Sequence, residues 1–97
     1  MELAIGIILA CCALGAGICM GVGAIGPGIG EGGAVAKSCE AIGRQPESKG
    51  AVTSTMVMGC AITESTGIYS LVIAILLIFV APNTLVNILT EAILKLR

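Results

Sequence analysis

The sequence predicts an all-α membrane protein, a two-helix transmembrane hairpin whose copies assemble into a homo-oligomeric ring. Three observations carry this expectation. Two apolar runs, roughly Leu3 to Ile29 and Ala51 to Val80, each exceed the ~20 residues that cross a bilayer. One polar segment, Gly43-Arg44-Gln45-Pro46-Glu47-Ser48-Lys49-Gly50, is bounded by glycine and carries a proline, so it reads as a turn between them. Small residues line two opposed faces of the first run, as expected of a helix with a like neighbour on each flank.

The whole chain reads as one domain. Its first helix runs from about residue 3 to 42, interrupted only by Pro27, which membrane helices tolerate when neighbours satisfy the freed carbonyl. A polar loop at 43–49 follows. The second helix runs from about 50 to 81, opening at Gly50 or Thr53. Pro82 and Asn83 break the pattern, and Asn83 or Thr84 is placed to cap a last amphipathic helix over 83–96. Ile8-Leu9-Ala10-Cys11 loosely mimics a lipoprotein cleavage box. The only charge before it is Glu2, however, where a signal peptide wants Lys or Arg, so Met1 is read as the mature start.

At 100° per residue, Gly17, Gly21, Ala24, Gly28 and Gly32 fall along one stripe of the first helix. Gly15, Cys19, Gly26, Gly30 and Gly33 fall on another, nearly opposite. Such stripes let helix backbones approach closely; the bland alternative is glycine-tolerant packing inside a larger bundle. Gly21-Val22-Gly23-Ala24-Ile25-Gly26 also matches the letters of a dinucleotide fingerprint. No strand precedes it and no βαβ unit follows, so nucleotide binding is set aside.

Composition narrows the function classes. Of 97 residues, 57% are hydrophobic and only 11% charged, too apolar for a soluble domain of this size. A net charge of -1 with no basic patch argues against nucleic acid as a partner. The five cysteines form no C-x-x-C pair and there is no histidine, so the thiols are expected to act as small hydrophobes rather than as metal ligands or disulfides.

Two acids stand out because a carboxylate at membrane depth is costly and is read first as an ion or proton site. Glu64 lies in Gly59 to Tyr69, a polar cluster inside the second run. Glu31 lies 13 residues before Arg44, and Glu64 lies 14 after Gly50. At 1.5 Å per residue both sit ~20 Å from the turn, which places them at one level of an antiparallel hairpin. Repulsion and desolvation prevent both from staying charged, so one shared proton plus one bound cation gives electroneutrality. Hydroxyls at Thr63, Ser65, Thr66 and Tyr69 add oxygen donors, which suit a hard ion. Simpler readings exist: Glu31 snorkels to the interface as Lys37 would, and Ser65 and Thr66 bond back to carbonyls one turn earlier.

Ile62, Ser65 and Tyr69 share one face of the second helix. Glu64 projects about 140° from Tyr69 and about 200° from Ile62. A site between copies resolves this, with Glu64 of one facing Ile62 and Tyr69 of the next.

These residues resemble the rotor-ring c subunit of F-type ATP synthases over nearly the whole chain up to Pro82. The likeness rests on the ladder Ala24, Gly26, Gly28, Gly30, Gly32, the loop Arg44-Gln45-Pro46, and Glu64. Ile62-Thr63-Glu64-Ser65-Thr66-Gly67-Ile68-Tyr69 resembles the sodium-binding version. That likeness implies Glu64 as the essential acid, the Ser65 hydroxyl and Ile62 carbonyl as ligands, a water held by Thr66, and Tyr69 locking Glu64. Where the family usually has Gln, this chain has Glu31, which resembles a two-carboxylate form carrying a proton beside Na+. The tail to Arg97 departs from family members that end near Pro82-Asn83.

The resemblance also implies a non-catalytic component without organic cofactor, and a ring of identical subunits in membrane lipid with the glycine-rich helix inside. A stator protein (the a subunit) with a buried Arg would load and unload Glu64 from half-channels. A loaded site is neutral and can face lipid, while an emptied one is charged and must stay by the stator. Arg44, Gln45 and Pro46 would grip the gamma and epsilon subunits of the central stalk. The implied location is the bacterial cytoplasmic membrane, with the loop cytoplasmic and both termini outside. Lys37, Arg44 and Lys49 agree with that orientation, and Lys95 and Arg97 pull the other way. The alternatives are a proton-only ring and an uncoupled pore-forming or structural hairpin.

Overall fold

A computed structural model describes residues 1–97, nearly all of them helical. Four α-helices follow in order: α1 (Glu2–Gly23), α2 (Ile25–Arg44), α3 (Lys49–Phe79) and α4 (Ala81–Leu96). A 3-10 turn, Pro46–Ser48, joins α2 to α3. The runs Glu2–Arg44 and Pro46–Phe79 are each long and apolar enough to cross a membrane, and they form a helical hairpin.

The break between α1 and α2 falls one turn before Pro27. Proline has no N–H to give the carbonyl four residues back, so the ladder loses one bond at Gly23. Ala24 stays in the right-handed region (φ -81°, ψ -14°) and accepts the Gly28 N–H at 3.0 Å, which lets the helix resume at once.

The turn is tighter than the sequence pattern implies. Gly43 and Arg44, assigned above to the loop, are helical, and Lys49 already belongs to α3. The Arg44 guanidinium reaches the Glu40 carboxylate one turn earlier at 2.6 Å, and such a pair supports the last helical turn. Gln45 leaves the helix (φ -135°, ψ 83°), and its carbonyl accepts both the Ser48 N–H at 2.9 Å and the Ser48 hydroxyl at 2.7 Å. Pro46 opens the 3-10 turn, where its missing N–H costs nothing.

The expected cap at Asn83 or Thr84 does not occur. Helix α4 begins earlier, at Ala81, with no side-chain cap at Val80. Pro82 sits in its first turn, where proline is tolerated. The Thr84 hydroxyl bonds back to the Val80 carbonyl at 3.3 Å instead of taking an N–H.

Two compact units make up the chain. One joins Met1–Gly21 to Ser70–Arg97. Its buried apolar residues are compact: Cys12, Ala16, Ala74 and Pro82. The Cys19 thiol donates to the Ser70 carbonyl at 3.5 Å, and a Cβ on Gly15 would rest 3.6 Å from Leu77 Cδ1. All five cysteines are free thiols. The second unit, Val22–Tyr69, holds the turn and both acids.

Of the two glycine stripes, the one with Gly15, Cys19 and Gly30 supplies the helix–helix contacts within these units. Gly17, Gly21, Gly28 and Gly32 on the other face open space, as do Gly26 and Gly33.

Candidate ion site

Glu31 and Glu64 meet within the second unit. Their carboxyl groups lie within hydrogen-bonding reach of each other, so Glu31 does not snorkel away toward the turn. Lys37 behaves differently: its ammonium extends to the Glu40 carboxylate at 3.2 Å, on the exposed surface near the turn. The antiparallel run of α2 and α3 accounts for the meeting. Gly30 lies opposite Thr63, and Pro27 lies opposite Gly67, so the acids that adjoin these residues fall in one layer.

Three hydroxyls near Glu64 bond back along α3. Thr63 donates to the Gly59 carbonyl at 2.9 Å, Thr66 donates to the Thr63 carbonyl at 2.9 Å, and Ser65 donates to the Ile62 carbonyl. These bonds satisfy the hydroxyl protons and leave oxygen lone pairs free to accept or coordinate. The Ser65–Ile62 bond also sets two of the anticipated ligand oxygens side by side.

Tyr69 and Ile62 are 66% and 70% exposed. Glu64 and Thr66 are also exposed, while Glu31 and Ser65 are half-buried. The chain thus carries a carboxyl pair and, on α3, the Ser65 hydroxyl bonded to the Ile62 carbonyl and the exposed Tyr69. The donors are oxygens throughout, which fits a hard cation better than a transition metal.

At the turn, Arg44, Gln45 and Pro46 are all exposed, with Arg44 held by Glu40. Gly26, Gly28 and Gly32 face open space, and Gly30 alone of that ladder meets the partner helix closely. Sequence reasoning gave no role to Pro27 or Gly67, which pack against each other beside the acids. The available signal was a proline one turn before Glu31 and a glycine three residues after Glu64.

The family model for the ATP synthase C subunit matches residues 14–77. The ATP synthase c subunit of Petrotoga mobilis is 56% identical over 69 residues, covering 71% of this chain and 72% of that protein. That of Alkaliphilus oremlandii is 54% identical over 76 residues, covering 78% and 85%. That of Thermotoga maritima is 52% identical over 79 residues, covering 81% and 93%. The family match spans both acids and the turn.

Proposed function

The chain belongs to the ATP synthase c subunit family, and from that premise we propose that its Glu31–Glu64 pair carries Na+ together with a proton. The coarser part follows from the family. This is a membrane protein, a rotor component that translocates ions and assembles with other ATP synthase subunits, and it is not itself catalytic.

The sodium reading is supported by the all-oxygen donor set around Glu64, and the accompanying proton by the Glu31 and Glu64 carboxyls lying within hydrogen-bonding reach of each other. A lone acid holding a single cation is neutral when loaded. Two acids in contact bear one charge too many, and a shared proton removes it. Na+ then takes the Glu64 carboxylate, the Ile62 carbonyl, the Ser65 hydroxyl and a water on Thr66, with Glu31 beside them and Tyr69 closing the site. The exposure of Ile62 and Tyr69 in the single chain supports a site completed between copies. Gly17, Gly21, Gly28 and Gly32, which face open space along one stripe of the first helix, support close packing of copies in a ring.

In this reading the ring turns against the stator's a subunit in the bacterial cytoplasmic membrane. The loop Arg44-Gln45-Pro46 contacts gamma and epsilon on the cytoplasmic side, and the termini lie outside. A proton-only ring is the second reading.

Comparing assembled rings with detergent-held monomers tests the inter-copy site. Rings are expected to bind Na+ specifically and monomers to lose that binding. Undiminished binding by monomers would refute a site shared between copies.

A further inference from the structure

We infer that two rigid contacts, Gly30 against Thr63 and Gly67 against Pro27, are positioning elements that hold the Glu31 and Glu64 carboxyls at proton-sharing distance. The inference rests on the acid pair being the ion site. Of the six glycines in α2, only Gly30 would bring a Cβ near the partner helix, at 3.1 Å from Thr63 Cγ2. Of the three in α3, only Gly67 would, at 3.3 Å from Pro27 Cγ and 3.9 Å from Glu64 Oε1. Each helix therefore has one tight glycine, and each lies within three residues of an acid.

Neither neighbour can yield easily. Thr63 is β-branched, and its hydroxyl is tied to the Gly59 carbonyl at 2.9 Å, so rotating Cγ2 away breaks that bond. Pro27 is buried and its ring is closed. A methyl at Gly30 or Gly67 therefore separates the helices instead of turning a side chain. The carboxyls move with the backbone, and a hydrogen bond between them weakens steeply with a few tenths of an ångström.

The test uses the full chain in lipid, without sodium, and reads the infrared stretch of the protonated carboxyl. Wild type should show the lowered, broadened band of a hydrogen-bonded acid pair, assigned by its loss in Glu31→Gln. Gly30→Ala should replace it with the band of an isolated acid. Adding Thr63→Ser removes the opposing methyl but keeps the hydroxyl, and should restore the paired band. In the assembled ring, the sodium concentration that half-protects Glu64 from carbodiimide should rise about ten-fold in Gly30→Ala and return in the double variant.

A paired band that survives Gly30→Ala overturns the inference, as does a lost band that Thr63→Ser fails to restore. Should Gly30→Ala not insert, Gly67→Ala with and without Pro27→Ala is judged by the same criteria. A wild-type chain lacking the paired band also overturns it, whereas the ion-site reading fails separately, by absence of carbodiimide reaction at Glu64.

Discussion

Replacing Ser65 by alanine removes one hydroxyl and disturbs nothing else in the packing between α2 and α3. In the folded chain this hydroxyl donates to the Ile62 carbonyl, which holds both oxygens on one rim of α3. Its lone pairs remain free, so coordination need not break the bond. On the proposed sodium site, Ser65→Ala loses one ligand oxygen and the prearrangement of another. An interaction of this kind with a charged group is worth about 1.5–3 kcal/mol, so the half-protecting sodium concentration should rise about 10- to 150-fold. The assay is a sodium titration of carbodiimide labelling at Glu64 in the assembled ring, with mass spectrometry locating the adduct. Thr55→Ala serves as the control. The Thr55 hydroxyl also donates back along α3, to the Ala51 carbonyl at 2.9 Å, but it is exposed and lies nine residues before Glu64. That variant should stay within about two-fold of wild type, because it removes the same kind of bond more than two helical turns from the acid. Equal effects from the two variants, or no effect from Ser65→Ala, would refute the assignment of Ser65.

Other expectations concern packing, the turn and the neighbouring copy. Gly15→Ala and Ala16→Leu lie side by side but should act in opposite directions. The first adds a methyl in ordinary contact with Leu77 and should stabilise the helix pair by about 0.5–1 kcal/mol through helix propensity. The second enlarges a residue only 3% exposed and should destabilise it by about 1–3 kcal/mol, both read by helix-pair fluorescence transfer in graded denaturing detergent. Glu40→Ala should cost at most about 1 kcal/mol, since solvent screens its pairs with Lys37 and Arg44, yet by freeing Arg44 it should weaken binding to the stalk subunits proposed to contact the turn. Tyr69→Phe should leave the monomer's circular dichroism unchanged, because Tyr69 is 66% exposed there, while raising half-protecting sodium in the ring about three- to ten-fold.

The helices were legible because their signal is length and apolarity, which tertiary contacts do not override. The turn was legible from Pro46 and the flanking glycines, though not its edges: the Arg44–Glu40 pair keeps Gly43 and Arg44 helical, and composition carries no such pairing. The missed cap at Asn83 has a similar cause. Proline in a first turn resembles a break, and here α4 starts one residue before it. The meeting of Glu31 with Glu64 could be foreseen by equal distance from the turn, since helical rise is constant. Which glycine stripe meets the second helix could not, because two opposed stripes look alike until a partner is placed. Pro27 and Gly67 escaped for a related reason. Their value lies in the distance between two helices, and no periodicity within one helix encodes it.

The central claim is that Glu64, paired with Glu31, holds sodium. The most direct measurement is carbodiimide modification of the assembled protein at neutral pH, with sodium and then potassium at equal ionic strength. Glu64 is expected to react, and sodium but not potassium is expected to suppress the reaction. Reaction at Glu64 that ignores sodium would contradict the sodium assignment and leave a proton-carrying rotor. Absence of reaction at both acids would contradict the ion site itself.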